Sequence, residues 1–218
     1  MTEPLSQDTK TSLWQRLAGT SFMFIAGWVA LVWAIEIVDT AILGDRLQAQ
    51  GIQPRTTRGL DGILWSPFLH AGFGHVLSNT APFAILGGLV ALRGRTHWLW
   101  ITATSIVVGG ALTWLFAGSG NHVGSSGVVF GYLGALLGAA AFERKMTYIA
   151  PAVIAVFFYG TILVGIVPQG GNISWEGHLA GLIAGGLATF VLAKTKPKPQ
   201  PALATAEDPL LEVDDLIF

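Results

Sequence analysis

Cysteine is absent from the 218 residues, which excludes disulfide bridges, thiolate nucleophiles and thiolate metal ligands. Charge is also scarce: 11% of the residues are charged, against about 25% in ordinary soluble domains. The net charge of −1 offers no basic surface of the kind that binds nucleic acid. Apolar residues are abundant: 52% of the residues are hydrophobic, and the mean hydropathy is +0.59. This composition predicts a polytopic membrane protein whose surroundings are the lipid bilayer.

Six apolar segments approach the length of a membrane-spanning helix, which is roughly 20 mostly apolar residues. They are residues 17–38, 74–92, 97–117, 126–142, 147–167 and 177–193. We therefore predict an all-α fold with a six-helix membrane domain over residues 17–193.

The two ends of the chain lack this apolar pattern. Residues 1–16 are polar, and the apolar run after them has no clear small-residue cleavage site. A cytoplasmic N-terminal segment and a retained first helix are therefore predicted, rather than a signal peptide. Residues 194–218 are rich in proline and then acidic, which predicts a disordered cytoplasmic tail.

Basic residues predict the orientation, because cytoplasmic loops near helix ends hold an excess of Lys and Arg. With six helices drawn, one side of the membrane carries most of them: Lys10, Arg16, Arg93, Arg95, Arg144, Lys145, Lys194, Lys196 and Lys198. Both termini are therefore predicted to be cytoplasmic. The second, fourth and sixth helices then begin at the outer face.

Polar side chains concentrate at those three outer helix starts, in "HAGFGHVLSN" (70–79), "GSSG" (124–127) and "SWEGH" (174–178). His75 and Asn79 are four positions apart and share one face of a helix. A charged side chain within a spanning helix costs about 2.5–3.5 kcal/mol on insertion scales, so such groups usually face a bundle interior or a watery cavity. We interpret the three starts as one functional site; hydrogen bonding between helices without chemistry is the alternative.

Glycines recur on the fourth and sixth segments at spacings that favour close helix packing. Gly127 and Gly131 begin a stripe on the fourth segment, and Gly181 and Gly185 continue one on the sixth. Small residues at such spacing let two backbones approach closely in lipid. The two helices are therefore predicted to touch, which brings Ser126 near the sixth segment.

Ser126 and His178 together suggest nucleophilic catalysis, because a serine hydroxyl is a weak nucleophile until a neighbouring base takes its proton. His75, Asn79 and the backbone N–H of Ser126 could donate to the oxyanion that develops during acyl transfer. No carboxylate is suitably spaced to orient the histidine, since Glu176 lies two residues from it. We therefore expect a dyad, which requires no metal ion or cofactor.

These motifs, in this order, resemble the rhomboid family of intramembrane serine proteases. The resemblance covers about residues 65–190 and rests on "GSSG", "HAGFGHVLSN" and "GHLAGLIAGG". It implies that Ser126 is the nucleophile, with His178 as the general base. By the family's pattern, the spacing to Gly127 favours Ser126 over the adjacent Ser125.

The same resemblance assigns supporting roles to four further residues. His75 and Asn79 would be oxyanion-side donors, His70 would support them, and Phe130 would stack on the catalytic histidine. It also implies a minimal six-helix bacterial-type member in the plasma membrane, which cleaves transmembrane protein substrates at a site open to the outer face. The predicted first outer loop, about residues 39–73, departs from some bacterial members because it lacks their Trp-Arg pair, so the family pattern does not predict what anchors it.

Other classes of protein fit less well. No H-E-x-x-H motif is present for a zinc protease, and no pair of aspartates lies within spanning segments for an aspartyl protease. The two halves of the sequence show no detectable repeat of the kind that many transporters contain, which counts against a transporter. The alternative that stays open is a catalytically silent rhomboid-like protein that binds or escorts transmembrane helices.

Overall fold

The computed structural model describes residues 19–144, 146–168 and 173–195. The predicted N-terminal segment 1–16 and residues 196–218 of the predicted tail lie outside these ranges. The described chain is nearly all helical, and its one β-type pairing is an isolated antiparallel bridge between Ile52 and His122.

Eight α-helices follow one another along the described chain. They are α1 (Thr20–Val38), α2 (Gly62–Trp65), α3 (Phe73–Ala91), α4 (Arg95–Thr104), α5 (Gly110–Phe116), α6 (Ser126–Glu143), α7 (Met146–Tyr159) and α8 (Trp175–Thr195). A π-helical turn extends α1, and another joins α4 to α5: Asp39–Leu43 and Ser105–Gly109. Short 3-10 helices are Leu47–Gln50, Ser66–Phe68 and Gly160–Ile166.

Five helices of the described chain are long and apolar enough to cross a membrane. They are Phe22–Leu43, Phe73–Ala91, Arg95–Phe116, Ser126–Glu143 and Trp175–Thr195. These correspond to the first, second, third, fourth and sixth predicted segments. The prediction of an all-helical membrane protein is therefore confirmed.

The fifth predicted segment, residues 147–167, differs from the others. Its α-helix, α7, has 14 residues and ends at Tyr159, where the 3-10 helix Gly160–Ile166 begins. At 1.5 Å per residue, α7 spans only about 21 Å of the roughly 30 Å hydrocarbon core. The six-span count consequently stays a prediction, because hydropathy measures apolar length and does not detect where the α-helix ends.

Helix α6 lies at the centre of the bundle. Tyr132 and Leu133 are fully buried, and α6 packs against α3, α7 and α8. The buried Tyr132 hydroxyl makes a 2.9 Å hydrogen bond to Thr102 Oγ1 on α4. Buried hydroxyls require such partners, because an unpaired polar group in an apolar interior is costly. Because α6 is central, Ser126 in its first turn lies among the other helices.

The closest helix pair is α6 and α8, where glycines bring backbone against backbone. A methyl group added at Gly181 would overlap the carbonyl oxygen of Gly127, and one added at Gly185 would overlap that of Gly131. At Gly131 the added methyl group would instead overlap Ser105 Oγ, while at Gly127 it would lie 3.7 Å from its nearest neighbour. Gly134 on α6 contributes in the same way, because a methyl group there would overlap the Leu182 carbonyl oxygen on α8. Gly134, Gly181 and Gly185 therefore set the spacing between these helices.

The loop between α1 and α3 is held by an arginine and a tryptophan that are far apart in sequence. Arg55 donates to the carbonyls of Leu115 (3.2 Å) and Ala117 (2.7 Å), at the end of α5. In return, Trp114 Nε1 donates to the Thr56 carbonyl over 2.9 Å. A guanidinium at a helix C-terminus satisfies free carbonyls and complements the helix dipole. This contact supplies an anchor where the loop lacks an adjacent Trp-Arg pair.

We predict that Gly185→Ala lowers stability by about 1–3 kcal/mol, because the added methyl group forces α8 away from the α6 backbone. Unfolding of the detergent-purified protein, followed by circular dichroism, measures the loss. Gly186→Ala is the matched control on the same helix, since its methyl group would lie 3.8 Å from its nearest neighbour, the Gly134 carbonyl oxygen. Equal stability of the two variants would contradict the proposed packing.

Candidate active site

The loop before α6 turns sharply at Gly124. Its φ of +115° lies in the region that favours glycine, and its N–H donates to the Ser66 carbonyl over 2.9 Å. A Cβ at this position would also lie 2.7 Å from the ring of His75. Position 124 therefore requires glycine for two reasons: the backbone conformation and the close approach of the His75 ring.

The two adjacent serines have different environments. Ser125 is only 2% exposed, and its hydroxyl donates to the Pro67 carbonyl over 2.6 Å while accepting from Trp28 Nε1 over 3.4 Å. Ser126 is half-buried, and its Oγ lies 2.9 Å from His178 Nε2. The hydroxyl of Ser125 is thus engaged in holding the loop, and that of Ser126 is paired with the imidazole.

The His178 ring is contacted on its face and at both nitrogens. The buried Phe130 ring, one turn after Ser126 on α6, stacks on it with centroids 4.4 Å apart and an interplanar angle of 13°. The second ring nitrogen, Nδ1, lies 3.0 Å from the carbonyl oxygen of Gly165. Sequence reasoning did not identify Gly165, because its contact is made by a backbone atom that every residue type possesses.

His75 and Asn79 lie beside Gly124 and line the same cavity as Ser126. The Ala71 N–H donates to His75 Nδ1 over 3.3 Å, so in the neutral ring the proton resides on Nε2. Asn79 Nδ2 donates to the His75 carbonyl over 2.9 Å, which leaves its second N–H available. A methyl group at Gly124 would meet both side chains, so their N–H groups converge on the serine loop.

His70 supports this loop from behind. Its ring is 2% exposed, lies 5.1 Å from the His75 ring in an edge-on arrangement, and accepts a 3.3 Å hydrogen bond from the Ser125 N–H. Burial is the main factor that lowers the pKa of His70, to about 4. The ring is therefore neutral near pH 7 and retains the lone pair that accepts from Ser125.

A cavity of about 960 Å³ opens above these groups. Its lining includes both side chains of the Ser126–His178 pair, together with His75, Asn79 and Gly165. Among the residues with described positions, no three His, Asp or Glu side chains are grouped so as to hold a metal ion. The cavity can therefore present a paired hydroxyl and imidazole, with several N–H donors, to a peptide group.

Two further polar contacts join the rim of the cavity to the start of α8. His122 Nδ1 lies 2.6 Å from Ser174 Oγ, and the Glu176 carboxylate accepts from the Gly118 N–H over 3.1 Å. Glu176 thus contacts the loop after α5, not the His178 ring, as its spacing predicted. His122 also pairs through its backbone with Ile52, so it connects the loop between α1 and α3 to α8.

These features define a class: a helical, integral membrane protein with a serine–histidine pair in a polar cavity. The Rhomboid domain model matches residues 58–195, more than half of the chain, and the chain belongs to the rhomboid family. Membership in this family supports an intramembrane protease function.

The curated relatives include two uncharacterized proteins and one rhomboid protease. The uncharacterized protein Rv1337 of Mycobacterium tuberculosis is 38% identical over 204 residues, which cover 89% of this chain and 83% of that protein. The uncharacterized protein ML1171 of Mycobacterium leprae is 36% identical over 183 residues, covering 80% and 72%. Rhomboid protease GluP of Bacillus subtilis is 29% identical over 182 residues, covering 81% of this chain and 35% of GluP.

The contrast between the two serines predicts different effects of their substitution on stability. Ser125→Ala should lower the stability of the fold by about 1–3 kcal/mol, because the Pro67 carbonyl loses its buried donor. Ser126→Ala should leave stability nearly unchanged, since the hydroxyl that it removes faces an open cavity. Thermal unfolding of both variants measures the difference; equal midpoints would contradict these roles.

Proposed function

We propose that this protein is an intramembrane serine endopeptidase in which Ser126 is the nucleophile and His178 the general base. The observation that carries the proposal is the 2.9 Å contact between Ser126 Oγ and His178 Nε2 inside the polar cavity. A serine hydroxyl becomes an effective nucleophile when an adjacent base takes its proton. Family membership supports the same activity.

In the first step, Ser126 Oγ attacks the carbonyl carbon of the scissile peptide bond, and its proton passes to His178 Nε2. The carbonyl oxygen becomes the oxyanion of a tetrahedral intermediate. That intermediate collapses when the C–N bond breaks and His178 returns the proton to the leaving amine. The products of this step are the first peptide fragment and an acyl ester on Ser126.

The oxyanion would be bound by donors that are already in place. We assign this role to His75 Nε2–H, the free N–H of Asn79 and the backbone N–H of Ser126. The last is unpaired within its helix, because the first N–H groups of a helix have no intrahelical partner. Donors of this kind are worth roughly 2.7–4 kcal/mol each to the transition state.

Hydrolysis of the ester completes the cycle. A water molecule loses a proton to His178 Nε2 and attacks the acyl carbon, and the proton then returns to Ser126 Oγ as the ester bond breaks. The cavity supplies space for this water beside the ester. The Phe130 ring would hold the imidazole in one orientation through both steps.

Transmembrane proteins are the proposed substrates, because the cavity lies among apolar helices. Helix α7 has only 14 residues, and its C-terminal half exposes Phe157 and Phe158, at 79% and 68%. A substrate helix could approach there and unwind at small or helix-breaking residues. The proposed orientation places the cavity at the outer face of a bacterial plasma membrane.

We predict that a fluorophosphonate probe labels the detergent-purified protein and that Ser126→Ala and His178→Ala each abolish labelling. The probe requires an activated serine and no known substrate. Ser125→Ala is the matched control, and it should retain labelling in whatever fraction stays folded. In-gel fluorescence, normalised to folded protein, measures the reaction.

Two results would separate the proposal from its rival. Labelling that survives Ser126→Ala would place the nucleophile elsewhere. A folded wild-type protein that admits the probe to its cavity yet is not labelled would favour the silent, helix-binding alternative.

We predict that Asn79→Ala lowers kcat by a factor on the order of 10² to 10³ with little change in KM, because an oxyanion donor acts mainly in the transition state. The measurement is cleavage of a fluorogenic transmembrane peptide containing small and helix-breaking residues. Ser78→Ala is the control, since Ser78 lines the same cavity and its hydroxyl donates to the same His75 carbonyl. Equal losses in both variants would remove the proposed role of Asn79.

A further inference from the structure

The contact between His178 and the backbone of Gly165 has no role in the mechanism proposed above. The Gly165 carbonyl oxygen lies 3.0 Å from Nδ1, on the side of the ring away from Ser126. A carbonyl can only accept, so in the neutral ring Nδ1 carries the proton. Nε2 then presents its lone pair to the serine hydroxyl, which is the tautomer that a general base requires.

We propose that Gly165 is a positioning residue, whose backbone carbonyl selects the reactive tautomer of His178. This inference rests on the proposed function, because the tautomer matters to catalysis only if His178 is the base. The carbonyl serves as the orienting group that serine proteases with a triad obtain from a carboxylate. It thereby provides the dyad with a third, uncharged partner.

A carbonyl suits this position better than a carboxylate would. The nearest acidic residue along the chain, Glu176, is engaged with the Gly118 N–H. An unpaired carboxylate buried among helices would carry a large desolvation penalty, whereas a peptide carbonyl is neutral. When His178 takes the serine proton, the Nδ1–H bond to Gly165 gains a charged donor and becomes stronger.

The residue at position 165 must be glycine for this contact to form. A Cβ added there would lie 2.9 Å from His178 Nδ1 and 3.2 Å from Phe130 Cζ. Both rings are stacked and tightly held, so the backbone of residue 165 would have to move away. Any side chain at this position should therefore withdraw the carbonyl from the imidazole.

Gly165→Ala tests the proposal, and Gly160→Ala is the matched control. Both glycines lie in the 3-10 helix Gly160–Ile166, but a methyl group at Gly160 would lie 3.6 Å from its nearest neighbour, Val156 Cγ1. The control thus reproduces the loss of a glycine from the segment without touching His178. Thermal unfolding confirms that each variant is folded.

The first readout is the tautomer of His178, from long-range ¹H–¹⁵N spectra of the ¹⁵N-histidine-labelled protein at a pH where the ring is neutral. The His178→Ala spectrum assigns the signals. Wild type and Gly160→Ala should show the proton on Nδ1, and Gly165→Ala should lose this preference. Because this readout needs no activity, it remains informative if the proposed protease function is wrong.

The second readout is the rate of fluorophosphonate labelling of Ser126. Gly165→Ala should slow it by a factor on the order of 10², since the ring must first adopt the correct tautomer and orientation. Gly160→Ala should label at about the wild-type rate. Slower labelling with an unchanged tautomer, or a changed tautomer with unchanged labelling, would overturn the positioning role.

Wild type alone can also decide the question if Gly165→Ala does not fold. A proton found on Nε2 of the neutral His178 ring would overturn the proposal without any variant. A proton found on Nδ1 would support it.

Discussion

The site depends on the direct contact between the backbones of α6 and α8. Gly181 and Gly185 leave no room for a side chain between the two helices, and this closeness places Ser126 Oγ 2.9 Å from His178 Nε2. The hydrophobic effect does not drive helices together in lipid, so close packing must supply the attraction. A methyl group at either position would separate the helices and with them the hydroxyl and the imidazole.

The low-dielectric interior imposes a second constraint, because every polar group placed there needs a partner. Ser125 illustrates it: its hydroxyl bonds to Pro67 and its N–H to His70, so the loop before α6 is held by polar contacts on one side. The adjacent Ser126 projects into the cavity. The two neighbouring hydroxyls consequently serve different purposes, one in holding the backbone and one in facing the imidazole.

Most of the fold could be predicted from apolar length, since five of six predicted segments correspond to helices able to span a membrane. The fifth differs because the 3-10 helix from Gly160 to Ile166 interrupts the α-helical conformation without reducing hydropathy. Residue spacing also predicted that Glu176 would not contact His178, and the carboxylate instead bonds to Gly118. The anchor of the loop between α1 and α3 could not be predicted, because Arg55 and the end of α5 are close only after folding.

The sequence by itself determined the side-chain types at the starts of α3, α6 and α8 and their periodicity, since one turn of helix converts spacing along the chain into a shared face. The sequence likewise makes Ser125 and Ser126 neighbours, because they are consecutive residues of the chain. Only the tertiary structure decided how closely the Ser126 hydroxyl approaches the histidine, and that the carbonyl of Gly165 meets the other ring nitrogen. Backbone carbonyls are identical in every residue, so their partners depend on contacts between distant segments and leave no mark in the sequence except the glycine that makes room for them.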